Sequence, residues 1–385
     1  MRQANQGSAS RFGMVGTYPP TECGIATFTS ALRGGICESA RDRVECRIAR
    51  MVDEPVGDGG REVLAEVVRG SRGSIAKARA ALNELDVVIV QHEYGIFGDD
   101  DGAQVVDLVE GIEAPTIVVL HTVLDDPSPN QRRIIEALAD ATDALVTMTR
   151  TAQRRLRDYD VDMKKVSVIP HGAHPPAPDL GPEPGTDRPT ILTWGLLGPG
   201  KGIEWGIEAL AFLRDLDVPP RYLVVGKTHP NVIENDGEAY REELEARAGE
   251  LGVSDLVEFE ADYSDRDALQ RTIEAAHLVL LPYDSVDQVT SGVLIEAVAA
   301  SKAVISSSFP HAVELLGGGV GLLVPRHDPE AIAEAVRRVL TEPGLHERMV
   351  GGAADLAPSL SWTAVGGQYR SLAETLLTAR GEAVA

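Results

Sequence analysis

The chain has 385 residues, of which 43% are apolar and 25% charged, with a formal net charge of −23 at pH 7. That composition excludes intrinsic disorder, and the length exceeds what one core usually fills, so two domains are expected. The charge repels phosphate backbones and anionic headgroups, which sets aside nucleic acid and bulk membrane as partners.

The apolar runs, such as Asp86–Val90 and Thr116–Leu120, are too short to cross a bilayer, and Met1–Ser10 reads as a polar frayed tail without a secretion pattern. A cytoplasmic protein is expected. Cys23, Cys37 and Cys46 are odd in number and lack metal-ligand spacing, so reduced thiols are expected rather than a disulfide framework or structural zinc.

Short apolar strands alternate with amphipathic helices from the first residues of the body. Strands are predicted at Phe12–Gly16, Val44–Val52, Asp86–His92, Pro115–Thr122, Ala144–Met148 and Val166–Pro170. Helices are predicted at Thr27–Ile36, Ile75–Leu85 and Gln131–Ala139. The basic stretch Arg150–Lys165 reads as a solvated helix face. Prolines and glycines between His174 and Gly185 forbid regular structure and mark a linker. A second series follows, with strands at Pro189–Gly195, Arg221–Gly226, Val257–Ala261, Leu278–Pro282, Ala303–Ser307 and Gly321–Val324. Its best marked helix has Asp328 as N-cap, Pro329 in the first turn and Ile332, Ala335, Val336, Val339 and Leu340 on one face. Apolar positions at helical spacing in Ser361–Arg380 predict a last helix that packs back on the body. The domains are therefore expected at 1–173 and 189–360, with 174–188 as linker and 361–385 as the returning helix. Open parallel sheets bind ligands at the carboxyl ends of their strands, so two such domains are expected to face each other across a cleft.

The segment Asp287–Val298 follows an apolar strand and opens a helix, so the N–H groups of Ser291, Gly292 and Val293 are expected at a positive helix terminus suited to a diphosphate. Gly292 permits close approach, and Glu296, one turn on, can accept hydrogen bonds from ribose hydroxyls. The plain alternative is a capped helix with a surface carboxylate.

Together with Gly195–Ile203 and with Val168–Gly172 at the end of the first half, this segment resembles the GT4 family of retaining glycosyltransferases. The resemblance implies an α/β protein of GT-B fold, two Rossmann-like parallel-sheet domains facing a central cleft, with the nucleotide held by the C-terminal one. It implies that Lys201 neutralises donor phosphate, that Glu296 holds the ribose, and that Ser291, Gly292 and Val293 contact phosphate or sugar. Fixed cations and helix amides suit a leaving group that gains charge as its glycosidic bond breaks. Two positions depart from the family pattern: Gln288 stands where a glutamate is usual, and Leu196 replaces an arginine, so Lys227 is the candidate second cation. These departures keep open a protein that binds nucleotide sugar without transferring it.

In the first half, Tyr18–Ala26 resembles the family's loop facing the diphosphate, with Gly24 its most transferable residue. His121 stands where the family has a histidine near the transferred sugar, and His92, Glu93 and Tyr94 are candidates on the acceptor side. The resemblance thus makes His121, Lys201 and Glu296 the catalytic candidates. Front-face attack, with the leaving phosphate assisting deprotonation, requires no carboxylate pair. No metal cage is visible, Asp99–Asp101 reads as a solvated turn, and Phe12–Gly16 lacks the full dinucleotide fingerprint, so neither metal nor other cofactor is expected. The function implied is hexose transfer from a nucleotide sugar to a carbohydrate or small hydroxylated acceptor. Mannose from GDP-mannose is the leading donor and UDP-glucose the alternative, with base selection placed on Glu260–Tyr263. A homo-oligomer is compatible with all of this.

Overall fold

The computed structural model describes residues 11–41, 43–57, 60–174, 188–261 and 266–384. They form two compact units, one running to Gly172 and resuming at Ser361, the other comprising Ala173–Leu360.

The first unit holds a seven-stranded parallel sheet: β1 (Arg11–Gly16), β2 (Glu45–Val52), β3 (Val63–Val68), β4 (Val87–His92), β5 (Thr116–Leu120), β6 (Ala144–Thr147) and β7 (Val166–Val168). Its order is β3-β2-β1-β4-β5-β6-β7, so the winding reverses between β1 and β4. Six of these strands match the sequence expectation. The seventh, β3, was not expected: it is an edge strand with one fully buried residue, Val67, and a register shift against β2 at Ile48/Ala49. A half-wet edge strand shows neither strict alternation nor a continuous apolar run.

The helix Gly24–Ser39 lies on this sheet because Phe28, Leu32 and Ile36 recur every four residues and are all buried. Complete burial of each contributes about 1.5–3 kcal/mol. The helix Pro129–Ala141 starts two residues before the predicted position because Ser128 and Gln131 form a reciprocal capping box. The last helix, Trp362–Val384, packs against Gly24–Ser39. Their crossing is close because it is made at glycines: a Cβ on Gly366 would collide with the Gly35 backbone, and one on Gly35 with the Trp362 carbonyl. Trp362 also covers Gly172, where a Cβ would run into its indole ring.

The basic stretch is not simply solvated. Lys165 Nζ donates to the carbonyls of Ala139 and Thr142, and Arg155 donates to that of Val123, while Arg150, Arg154 and Arg157 are exposed. Two of its charges therefore tie neighbouring segments together, a use that composition cannot reveal. Asp99–Asp101 enters a 3-10 turn, with Asp101 bonded to Asn130 at 2.8 Å.

The second unit holds β8 (Thr190–Trp194), β9 (Arg221–Val225), β10 (Val257–Glu260), β11 (Leu278–Leu281), β12 (Ala303–Ser307) and β13 (Gly321–Val324). All are parallel, in the order β10-β9-β8-β11-β12-β13, reversing between β8 and β11. Side chains of β8 alternate between two cores. Ile191 joins Tyr222, Leu278 and Ile305, whereas Leu192 and Trp194 join Leu223, Val279 and Val304. Burial on both faces is why these strands read as continuous apolar runs. The helix Pro329–Thr341 begins where predicted, with Asp328 Oδ1 accepting the Ala331 N–H at 2.9 Å. Among the described residues, no helix is long and apolar enough to cross a membrane.

Candidate functional site

In each unit the reversal of strand order opens a crevice at the carboxyl ends of two central strands, and the predicted site residues concentrate there. In the second unit the crevice lies between the loops following β8 and β11. Gly202 has φ +66°, and any Cβ would strike the Pro282 carbonyl; Gly226, at φ +146°, passes equally close to the Gly195 carbonyl. Only glycine permits this packing. The Asp284 N–H donates to the Gly200 carbonyl at 2.9 Å, fastening the two loops together.

Lys201 sits on the loop after β8, between Gly200 and Gly202. Its ammonium lies 4.4 Å from the centre of the Tyr283 ring, and no carboxylate pairs with it among the described residues. Burial holds its pKa below the ordinary lysine value. A desolvated, unpaired cation resting on an aromatic face is a strong attractor for an anion. Two polar groups of the segment between β11 and the helix Gly292–Ala299, Tyr283 Oη and Thr290 Oγ1, are buried without partners among the described residues.

At the helix start, Ser291 is the N-cap and its hydroxyl accepts the Leu294 N–H at 3.3 Å. From the sequence, the N–H groups of Ser291, Gly292 and Val293 are all expected free at this terminus. The Ser291 N–H is not free, because it donates to His311 Nδ1 at 2.8 Å, leaving the Gly292 and Val293 amides without an acceptor among the described residues. Glu296 accepts the Trp194 indole N–H at 3.2 Å, which fixes one carboxylate oxygen. Gln288 is half-buried, with its N–H on Ser285 Oγ and its carbonyl receiving the His311 N–H. Lys227 is exposed on the loop after β9, with its carbonyl accepting the Leu197 N–H. Of the segment expected to choose the base, Asp262 and Tyr263 lie outside the described residues.

In the first unit the crevice lies between the ends of β1 and β4. Gly24 opens the helix Gly24–Ser39 and faces unfilled space, whereas Cys23 caps it, its Sγ accepting the Ala26 N–H at 3.4 Å. The preceding loop is held from beneath by Arg50, 1% exposed, which donates to the Pro19 carbonyl and pairs with Glu66 at 2.6 Å. That guanidinium keeps the Glu66 carboxyl below the usual range. Sequence reasoning missed this pair because Glu66 lies on the unexpected β3.

At the ends of β4 and β5, His121 Nε2 meets Gln91 Oε1 at 2.8 Å, and Gln91 is fully buried. Burial, then the neighbouring His171 and His92, pushes the His121 pKa down to about 3. Burial alone brings His92 to about 4, and His171 also lies at about 4. All three imidazoles are neutral at physiological pH, so this cluster can exchange hydrogen bonds with sugar hydroxyls but offers no charge. Both His92 nitrogens, Gln91 Nε2 and Tyr94 Oη are buried without partners among the described residues. Each such orphan costs about 1–3 kcal/mol unless something completes it. Glu93 differs: its oxygens accept from the Tyr94 N–H and the Thr122 hydroxyl, at 2.9 and 2.6 Å. A carboxylate engaged on both oxygens is a poor nucleophile.

Residues 182–355 match the family model described as Glycosyl transferases group 1. The chain is 32% identical over 268 residues to a D-inositol 3-phosphate glycosyltransferase of Corynebacterium glutamicum, covering 64% of this chain and 61% of the relative. It is 31% identical over 188 residues to the alpha-D-kanosaminyltransferase of Streptomyces kanamyceticus, covering 48% and 45%. It thus spans about three fifths of the length of the first of these relatives. Among solved structures, HepE of Anabaena in complex with UDP superposes with a TM-score of 0.74 at 15% identity, over 95% of this chain and 100% of that one. Sucrose-phosphate synthase of Thermosynechococcus elongatus gives 0.73 at 17% identity, over 96% and 100%. The second unit thus resembles the group 1 glycosyltransferases over residues 182–355, and the chain has the GT-B fold of the solved structures it superposes on.

Proposed function

We propose that the chain transfers a hexosyl group from a nucleoside diphosphate sugar to a hydroxyl of a carbohydrate or small hydroxylated acceptor, with retention. The observation that carries this reading is Lys201, a half-buried cation that lies over the Tyr283 ring without a carboxylate partner among the described residues. In the reaction, the bond between the anomeric carbon and the diphosphate breaks as the acceptor oxygen bonds to the same face. The acceptor proton passes to the departing phosphate. Lys201 and the Gly292 and Val293 amides stabilise the charge that develops there, so positive groups of the chain take the part a metal would otherwise play. The neutral His121, held through Gln91, orients the sugar without competing for its charge. Glu296 receives the ribose hydroxyls.

For the donor, GDP-mannose is the first reading. UDP-glucose has separate support, since the structural neighbour HepE has been solved with UDP-glucose. The acceptor named for several relatives is a phosphorylated inositol, which makes small polyols the first class to try. Thermal stability against GDP, UDP, ADP and their hexose conjugates tests the reading, since a ligand at 100 times its Kd adds about 2.7 kcal/mol. A shift with one base, followed by turnover with acceptor, is the expected result. A shift without transfer or slow donor hydrolysis would leave a binding protein, and no shift at all would remove the assignment.

A further inference from the structure

The donor cradle contains a residue whose position the reaction alone does not explain. His311 is 3% exposed and lies in the first turn of the helix Pro310–Leu316, twenty residues beyond the helix start it contacts. It touches that segment twice. Its Nδ1 accepts the Ser291 N–H at 2.8 Å, and its own N–H donates to the Gln288 carbonyl at 3.3 Å. An imidazole nitrogen that accepts an amide hydrogen carries its lone pair there, so the ring is the neutral Nε2–H tautomer.

The contacts bracket Gln288–Ser291, the stretch that leads into the Gly292 and Val293 amides. Ser291 is 3% exposed, and without Nδ1 its N–H would be a buried donor with no acceptor. With Nδ1 in place, the loop is held before any ligand arrives, and Gly292 and Val293 carry the next amides of the helix start. We propose that His311 is the positioning residue of the diphosphate cradle: it occupies the Ser291 amide and fixes the loop, so that the next two amides meet the β-phosphate of the donor. The proposal rests on the glycosyltransferase reading and adds a residue to it. His311 itself need not touch the donor.

The test compares His311→Phe, which keeps a ring and removes the acceptor, with His311→Asn, whose Oδ1 falls near the Nδ1 position. The ligands are the nucleoside monophosphate and diphosphate of whichever base the wild-type protein binds, with affinity measured by titration calorimetry. In His311→Phe the diphosphate is expected to bind about tenfold more weakly, while the monophosphate keeps its affinity. His311→Asn should restore most of the loss. A general structural defect would weaken both ligands alike, and that result, or an unchanged or tighter diphosphate, overturns the proposal. If His311→Phe does not fold, the wild-type protein still decides through long-range nitrogen-proton correlation of its histidines. A pyridine-type Nδ1 at His311 supports the assignment, and a protonated Nδ1 refutes it. A wild-type protein that binds no nucleotide would instead remove the glycosyltransferase reading.

Discussion

Lys201 and Gln91 show how single side chains divide the work of the two crevices. Lys201 is desolvated without a counter-charge, an arrangement that is costly until an anion arrives. Replacing it by alanine is expected to raise the Kd for the donor diphosphate about ten- to hundredfold, the loss of one charge-assisted contact. Calorimetric titration reads this directly, and an unaltered Kd would mean that the ammonium does not meet phosphate. Gln91 acts through its neighbour. Gln91→Leu leaves the His121 Nε2–H without its acceptor and is expected to destabilise the protein by about 1–3 kcal/mol, seen as a lower denaturant midpoint. Much of the candidate site was legible in the residue types, since a lysine among glycines and a glycine opening a helix suggest anion binding. The occupied Ser291 amide was not, because its acceptor is supplied by His311 from another helix.

Among the elements, the crossing of the helices Gly24–Ser39 and Trp362–Val384 sets the position of the loop that bears Gly24. Gly366 and Gly367 are sequence neighbours with opposite surroundings. A Cβ on Gly366 would strike the Gly35 backbone, whereas one on Gly367 meets only the Ser39 side chain at 3.9 Å. Gly366→Ala is therefore expected to cost about 1–3 kcal/mol through overpacking, and Gly367→Ala to be neutral or to add up to about 1 kcal/mol through helix propensity. Thermal melts of the two variants test this, and a common sign would show that the crossing is not close-packed at Gly366. The helices themselves were readable from their spacing: Phe28, Leu32 and Ile36 in one, Trp362, Val365, Tyr369 and Leu372 in the other. Which glycines meet was not, because a helical repeat states which face is apolar and not how near the partner comes.

For the molecule as a whole, the three neutral histidines link folding to pH. Burial depresses His92 to about 4 from an ordinary value of 6.5, so the unfolded chain takes up a proton at mildly acidic pH that the folded one refuses. Stability is complete above about pH 6.5 and falls as the pH drops toward 4. His92 alone, fully buried, removes about 2 kcal/mol between pH 7 and pH 5, with His121 and His171 acting in the same direction. Urea midpoints at the two pH values should show the loss, and His92→Phe should reduce it; an equal loss in both proteins would rule out His92 as a source. What the sequence by itself determined was the class of fold and most of its strands, because apolar runs, caps and helical periodicity are local signals that burial on both sheet faces makes strong. Strand order, the edge strand β3, the Arg50–Glu66 pair and the His311 contact were decided only by the tertiary structure. Each depends on which distant segments become neighbours when the chain closes its cores, and no local pattern carries that information.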